Sequence, residues 1–234
     1  MTLYAAGTRC ACCIGPASIG RRAALLGAGG LVAATAFAPA ARAQSELSPD
    51  AALKALMDGN VRFVAKQLTS FQEDLDILKQ NTVAKQEPFA AVLACADSRV
   101  PVELVFDQSI GHVFVTRVAG NIASAEIIAS LEYGAAVLGT RTILVLAHSG
   151  CGAVKAAMAG KAVPGQISTL YRFIRPAIDR AKGDLTVAEK VNAMIQAGLL
   201  RDASPVLSDL VKQGKLSIAA AYYDLGTGKV TLLA

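Results

Sequence analysis

The chain contains four short, mainly apolar runs, rich in Val, Ile, Leu and Ala, at 89–95, 112–118, 142–148 and 216–223. Runs of this length are typical of strands that are buried on both faces of a parallel sheet. A glycine-containing turn follows the last run and leads into a fifth short strand pattern at 229–233. This ending predicts a C-terminal hairpin whose final strand is antiparallel and lies at the edge of the sheet.

Between these runs, apolar residues recur at helical spacing. A serine followed by a proline predicts the start of a helix over 49–67, since both residues favour a helix N-terminus. Helical patterns also cover 122–138 and 165–213, the latter with two breaks. The alternation predicts an α/β fold of three layers, in which helices flank a mostly parallel central sheet with an antiparallel edge strand. Residues 44–234 are enough for one such domain.

The first 43 residues differ from the rest in charge. They contain four arginines and no acidic residue, so without them the chain has 19 Lys+Arg against 18 Asp+Glu and a net charge of +1 rather than +5. The basic charge of the whole chain therefore belongs to its N-terminus and does not indicate nucleic-acid binding.

The N-terminal segment has the organisation of a signal peptide. Arg21 and Arg22 precede an apolar stretch over 23–38, and small residues follow in an A-x-A end. We expect residues 1–43 to be a twin-arginine signal peptide that is cleaved before Gln44, which would leave a periplasmic protein with no stable membrane anchor. An uncleaved anchor is the alternative, although the apolar stretch of 16 residues is short for a helix that spans a bilayer.

Cysteine and histidine residues occur where the predicted strands end. Cys95 closes the first run, His148 closes the third, and Cys151 follows three residues later. In open α/β sheets, ligands bind beyond the carboxyl ends of the strands. A disulfide between the two cysteines is one interpretation, because exported proteins often contain them. The other is a zinc site, because two thiolates and an imidazole suit zinc and leave its fourth tetrahedral position open.

The order of these residues resembles the zinc signature of the β-class carbonic anhydrases, C-x-D-x-R followed later by H-x-x-C. The resemblance extends through essentially the whole stretch from residue 44 onwards. It includes D-G-N-x-R-F at 58–63, A-C-A-D-S-R-V-P at 94–101, F-D-Q at 106–108, V-A-G-N at 118–121, S-L-E-Y at 130–133 and A-H-S-G-C-G-A at 147–153.

The resemblance implies a role for each residue of the signature. Cys95, His148 and Cys151 would bind one Zn²⁺ per chain. Asp97 would accept a hydrogen bond from the zinc-bound water, and Arg99 would hold Asp97 through a bidentate pair. Zinc makes its bound water acidic enough to supply hydroxide near neutral pH.

Four further residues match family positions that contact the substrate, CO2 or bicarbonate. Gln86 would donate a hydrogen bond to a substrate oxygen, and Phe114 and Tyr133 would line the pocket. Gly152 would offer its backbone N–H at a helix N-terminus, which favours an anion. Without the resemblance, the glutamine would be an ordinary loop residue and the aromatic residues ordinary core residues.

The family contains a subtype in which the aspartate closes the zinc site and a tryptophan lies three residues before the first cysteine. This chain has Val92 at that position and no tryptophan at all. We therefore expect the constitutively open subtype, with Arg117 in a structural ion pair.

The resemblance also implies an oligomeric state and an activity. Its members form dimers or dimers of dimers with clefts at the subunit interface, so we expect a homodimer or a homotetramer. The expected activity is the zinc-dependent, reversible hydration of CO2 to bicarbonate and a proton by zinc-bound hydroxide. Two alternatives are a hydrolase of COS or CS2 on the same scaffold and a non-catalytic zinc-binding member.

Overall fold

The computed structural model describes residues 46–70, 82–161 and 163–234. The expected signal peptide at 1–43 and its cleavage site lie outside the described residues. Among the helices that are described, none combines the length and the apolar character needed to cross a membrane.

The described residues form alternating helices and strands. The helices are α1 (Pro49–Val64), α2 (Val102–Val105), α3 (Ala125–Ala136), α4 (Gly152–Ala159), α5 (Tyr171–Ala181), α6 (Leu185–Ala203) and α7 (Pro205–Lys212). A 3-10 turn at Ile167–Leu170 leads directly into α5. The strands are β1 (Ala90–Ala94), β2 (Val113–Arg117), β3 (Thr142–His148), β4 (Ser217–Tyr223) and β5 (Val230–Leu233).

The five strands form one sheet in the order β2-β1-β3-β4-β5. The pairs β1–β2, β1–β3 and β3–β4 are parallel, whereas β4–β5 is antiparallel. The predicted α/β fold, with a mostly parallel sheet and an antiparallel C-terminal edge strand, is therefore confirmed.

The sheet has a separate apolar core on each face. In β1, Ala91 and Leu93 pack with side chains of α3, α6 and α7, whereas Val92 and Ala94 pack with side chains of α1 and α2. All five residues of this strand are fully buried. Burial on both faces explains why the strand is continuously apolar and why the molecule has three layers.

Helix α1 fits closely against the chain that follows α2. A Cβ added at Gly59 would lie 1.7 Å from the carbonyl oxygen of Phe106, so only glycine permits this approach. The next residue, Asn60, is buried and donates to the carbonyl oxygens of Val105 and Gly228 at 3.1 and 2.9 Å. Its amide oxygen accepts from the Val230 backbone N–H at 2.8 Å, which ties α1 to β5.

An ion pair joins α1 to the same region. Arg62 Nε donates to Asp107 Oδ2 at 2.5 Å, and the Asp107 side chain is fully buried. The backbone N–H groups of Thr69 and Ser70 donate to the other carboxylate oxygen at 2.9 and 3.0 Å. The D-G-N-x-R-F and F-D-Q segments of the sequence are thus used to hold α1 on the sheet.

Candidate metal centre

Two neighbouring strands bring the cysteine and histidine residues together. Cys95 follows β1, His148 is the last residue of β3, and Cys151 is the N-cap of α4. Because β1 and β3 are parallel neighbours, their carboxyl ends meet at one edge of the sheet. The two Sγ atoms are 3.9 Å apart, and all three ligand atoms lie within 4.8 Å of one another. The three residues are 4%, 0% and 1% exposed.

The His148 ring has one nitrogen free for a metal ion. Its Nδ1 lies 3.1 Å from the Ser149 carbonyl oxygen, an acceptor that fixes the proton on Nδ1. Its Nε2 is buried and has no hydrogen-bond partner among the described residues. A buried ring nitrogen without a partner is costly, and a metal ion on its lone pair removes that cost.

The two cysteines are free thiols rather than a disulfide. A hydrogen bond from Cys151 lowers the pKa of Cys95 to about 4, and the Gly120 N–H donates to its sulfur at 3.3 Å. The same contact with Cys95, together with burial, raises the pKa of Cys151. Two sulfur atoms this close repel each other when both are ionised, so the second thiolate requires a cation. The donor set therefore fits zinc.

Asp97 and Arg99 form a planar pair beside this cluster. Arg99 Nε and a terminal nitrogen donate to the two carboxylate oxygens of Asp97 at 2.9 and 2.7 Å. The hydrogen bonds from Arg99 hold the pKa of Asp97 well below its usual range, so this carboxylate stays ionised. Asp97 Oδ2 is also 3.8 Å from His148 Nε2, which places it next to the position where an ion would bind.

Arg117 has a different partner from the one expected. Instead of an ion pair, its guanidinium donates to the carbonyl oxygens of Cys95 and Asp97 at 2.9 and 2.5 Å. These two bonds fix the backbone from the first ligand to Asp97. The expected ion pair of Arg117 is therefore wrong for the described residues, in which its guanidinium bonds to carbonyl groups.

Gly152 begins α4 directly after Cys151, at the edge of the cluster, and is exposed. Its N–H is one of the first N–H groups of the helix and so has no acceptor within it. A Cβ at this position would meet no atom of the described residues within 4 Å. The position is thus compatible with a group that approaches the helix N-terminus.

The other three expected substrate contacts lie elsewhere in the chain. Phe114 pairs with Ala91, which precedes Cys95 by four residues, roughly 13 Å along the strand at 3.3 Å per residue. Its ring centroid is 6.3 Å from that of Tyr133. Tyr133 and the exposed Gln86 line one pocket of about 460 Å³, whose lining contains none of the three ligand residues. The structure therefore groups these three residues together, apart from the metal cluster of the same chain.

Three residues around the centre were not anticipated from the sequence. Glu189, Asn192 and Gln196, here called the α6 polar row, are buried on one face of α6. Glu189 accepts from the Cys151 backbone N–H, and Asn192 donates to the Gly120 carbonyl oxygen. The sequence signal that could have identified them is their spacing of three and then four residues, which places them on one otherwise apolar face of a helix.

Comparisons with known proteins agree with this geometry. A family model described as carbonic anhydrase matches residues 90–230. Carbonic anhydrase 2 of Mycobacterium tuberculosis is 33% identical over 193 residues, and the match covers 79% of this chain and 93% of that protein.

Solved structures are similar as well. The Coccomyxa β-carbonic anhydrase in complex with acetazolamide has a TM-score of 0.61 at 29% identity, covering 77% of this chain and 86% of that chain. A tetrameric β-carbonic anhydrase of Sordaria macrospora shares the fold, with a TM-score of 0.63 at 20% identity and coverage of 70% and 92%. By its sequence, its fold and the residues at the end of its sheet, the chain belongs to the β-class carbonic anhydrases.

Proposed function

We propose that this protein is a zinc-dependent carbonic anhydrase that interconverts CO2 and water with bicarbonate and a proton. The observation that carries the proposal is the buried cluster of Cys95, His148 and Cys151, in which the unpartnered Nε2 faces two sulfur atoms. These three residues would hold Zn²⁺. The ion, when bound, supplies a Lewis acid that makes water acidic enough to react near neutral pH.

Asp97 and Arg99 then orient the reaction. Ionised Asp97 would accept a hydrogen bond from the attacking oxygen, which leaves a lone pair of that oxygen directed at the carbon of CO2. Arg99 keeps the carboxylate in place because its planar fork matches both oxygens. Because two thiolates would cancel the charge of the ion, water at the site should be less strongly acidified than in an all-histidine site. We therefore expect activity to rise on the alkaline side of neutrality.

The two alternatives have less support. The Asp97–Arg99 pair is intact, which favours catalysis over a purely metal-binding role. A hydrolase of COS or CS2 would use the same centre and is separated from a carbonic anhydrase only by its substrate.

The test is stopped-flow CO2 hydration by purified protein, with COS as the competing substrate. We expect about one zinc per chain, activity with CO2, loss of activity when a chelator removes the metal, and recovery when zinc is returned. Cys151→Ser should lose zinc and activity together. A protein that keeps zinc but turns over COS and not CO2 would contradict the proposal.

We also propose a homo-oligomer, a dimer or a tetramer. Its support is the separation of Gln86, Phe114 and Tyr133 from the metal cluster of their own chain, together with the exposure of 47% of Tyr133. A second copy could bring this group against the metal centre. The Sordaria macrospora enzyme is tetrameric, which is consistent with such an assembly.

We further propose that residues 1–43 direct export to the periplasm by the twin-arginine route, with cleavage before Gln44. The support is the arginine pair, the short apolar stretch and the A-x-A end. Changing Arg21 and Arg22 together to Lys should leave the precursor in the cytoplasm, and N-terminal sequencing of the exported wild type should begin at Gln44. Export that continues through the general secretory route would refute the twin-arginine assignment.

A further inference from the structure

The α6 polar row lies in an unfavourable place for polar side chains. Glu189, Asn192 and Gln196 are each 1% exposed or less, among alanine and leucine side chains of the same helix. Burying a carboxylate and two amides is costly unless each polar atom has a partner. The partners of these residues therefore show what the row stabilises.

Glu189 connects the second cysteine to the sheet. Its Oε1 accepts from the Cys151 backbone N–H at 2.7 Å, and its Oε2 accepts from the Tyr222 hydroxyl at 3.3 Å. Tyr222 belongs to β4, the strand next to β3. The carboxylate thus fixes the start of α4, where Cys151 is the N-cap, relative to the sheet.

Asn192 acts on the loop that contacts the first cysteine. Its Nδ2 donates to the Gly120 carbonyl oxygen at 2.8 Å, and the Gly120 N–H donates to Cys95 Sγ at 3.3 Å. Gly120 has φ +77°, and a Cβ there would lie 2.8 Å from Ile174 Cδ1. The loop therefore uses a backbone conformation that glycine permits, and the asparagine holds it there.

Gln196 fixes the orientation of Asn192. Its Oε1 accepts from the Ala123 backbone N–H at 2.9 Å, so its Nε2 must be the atom that faces the helix. That Nε2 donates to Asn192 Oδ1 at 3.1 Å and to the Phe173 carbonyl oxygen at 3.1 Å. With its oxygen used in this way, Asn192 presents its amide nitrogen to Gly120.

We propose that the α6 polar row positions the metal centre, because it holds the two loops that carry or contact Cys95 and Cys151 at the separation that a tetrahedral ion requires. The inference rests on the proposed zinc site. Glu189 bonds to Cys151 itself, and Asn192 bonds to Gly120, whose N–H donates to the sulfur of Cys95, so one helix acts on both cysteines. Loss of an outer-shell partner typically weakens metal binding about 10- to 100-fold.

The first test compares two buried asparagines. Asn192→Ala and Asn60→Ala each remove an amide that makes backbone hydrogen bonds, but Asn60 bonds to Val105, Gly228 and Val230, away from the cluster. Zinc affinity is measured by competition with a chromophoric chelator, and the stability of each metal-free protein by urea unfolding. We expect about 10- to 100-fold weaker zinc binding for Asn192→Ala and less than about threefold for Asn60→Ala. Asn192→Asp keeps the size of the side chain but loses the amide that donates to Gly120, so it should weaken zinc binding as Asn192→Ala does. If Asn192→Ala does not fold, Asn192→Asp takes its place in the comparison.

The second test compares two changes at one position. Glu189→Gln keeps an oxygen that can accept from the Cys151 N–H, whereas Glu189→Ala removes it. We expect Glu189→Gln to bind zinc within about threefold of wild type and Glu189→Ala to bind about 10- to 100-fold more weakly. In the cobalt-substituted protein, Glu189→Ala should also change the absorption bands that report the geometry of the thiolate ligands, and Glu189→Gln should not.

The outcomes separate the two proposals. Wild type that binds no zinc, or Cys151→Ser that binds it normally, contradicts the zinc site itself. Wild type that binds zinc while Asn192→Ala and Asn60→Ala lose affinity equally shows that the row contributes only packing. Equal losses in Glu189→Gln and Glu189→Ala would exclude the hydrogen bond to Cys151 as the cause.

Discussion

Asp97 has two positively charged partners within its reach, the guanidinium of Arg99 and the proposed metal ion. The guanidinium binds both carboxylate oxygens, while Oδ2 lies 3.8 Å from His148 Nε2. A carboxylate so close to the ion could become its fourth ligand and close the site in the manner of structural zinc. At the scale of a single residue, we therefore propose that Arg99 keeps the fourth position open.

We predict that Arg99→Ala keeps zinc but loses CO2 hydration by at least about 100-fold in kcat, because the released Asp97 occupies the fourth position. Asp97→Ala should lose a similar amount of activity while leaving that position open. Arg99→Lys should recover little, since an ammonium cannot reproduce the planar fork.

Thiocyanate titration of the cobalt-substituted proteins distinguishes the two inactive states. An open position binds the anion and changes the absorption spectrum, so Asp97→Ala should respond and Arg99→Ala should not. A response from Arg99→Ala, or substantial activity in it, would show that Arg99 does not keep the site open.

A second residue-scale prediction concerns Asp107. Burial raises the pKa of this carboxyl, but hydrogen bonds from Ser70, Arg62 and Thr69 outweigh it and hold the pKa below its ordinary value of 3.8. The folded state therefore binds the proton more weakly than the unfolded state, so the carboxylate stabilises the fold above pH 3.8 and loses this effect as the pH falls through the lower folded value.

Asp107→Asn should lower the free energy of unfolding by roughly 3 kcal/mol at pH 7, because it leaves buried donors without a charged partner. The difference from wild type should shrink as the pH falls below about 4. Urea unfolding of the metal-free proteins measures both effects without interference from zinc release. Asp58→Asn is the control, because its exposed pair with Lys54 should contribute less than about 0.5 kcal/mol. A difference that is constant with pH would contradict the prediction.

At the scale of elements, α1 can lie where it does only because it has a glycine at its contact with Phe106. Gly59→Ala would place a methyl group 1.7 Å from a carbonyl oxygen, so the helix must move. We predict a loss of at least about 3 kcal/mol in the free energy of unfolding.

Gly198 in α6 is the matched control. Within the part of the chain that the structure describes, a Cβ there meets no atom within 4 Å, so Gly198→Ala should stabilise the protein by up to about 1 kcal/mol through helix propensity. Urea unfolding compares the two variants. Similar effects of both substitutions would mean that α1 does not depend on its close approach.

Much of the fold follows from the apolar runs, because continuous burial on both faces leaves a parallel sheet as the natural arrangement. That arrangement also places Cys95 and His148 at the same edge, so the metal cluster was predictable. The boundaries of the helices were less predictable. The pattern at 122–138 became a helix only over Ala125–Ala136, because the backbone of Ser124 is extended (ψ 169°). The Ala123 N–H, just before it, bonds to Gln196 of α6.

The α6 polar row was not predictable for a related reason. Helical periodicity identifies the face on which Glu189 and Asn192 lie, but not the loops that this face meets. Those loops are separated from α6 by 38 to 72 residues in the chain. Only the folded structure brings them together.

At the scale of the whole molecule, the proposed oligomer predicts that two variants that are inactive alone can form an active site together. If Gln86 completes the site of the other subunit, Gln86→Ala and Cys151→Ser are each inactive alone. A hybrid dimer would contain one complete site, formed by the metal ligands of one chain and the Gln86 of its partner.

Co-expression of the two inactive variants in equal amounts should therefore restore about a quarter of wild-type activity, because half of the dimers are hybrids with one working site of two. CO2 hydration by the purified mixture measures it, and co-expression of Cys151→Ser with Cys95→Ser is the control that should remain inactive. An inactive mixture of the first pair would place Gln86 in the site of its own chain, whereas activity of Gln86→Ala on its own would place it outside the reaction.

The distance of 3.9 Å between the two sulfur atoms also has a consequence for the protein before it binds zinc. Folding alone brings the thiols to within about 2 Å of bonding distance, so a metal-free molecule in an oxidising compartment is exposed to any two-electron oxidant, such as molecular oxygen. Oxidation would release two protons and consume both ligands, whereas a bound ion keeps both sulfurs occupied. Zinc supply and oxidant thus compete for the same pair of atoms. If the protein is exported as proposed above, the order in which zinc and oxidant reach the two thiols determines whether a molecule becomes active.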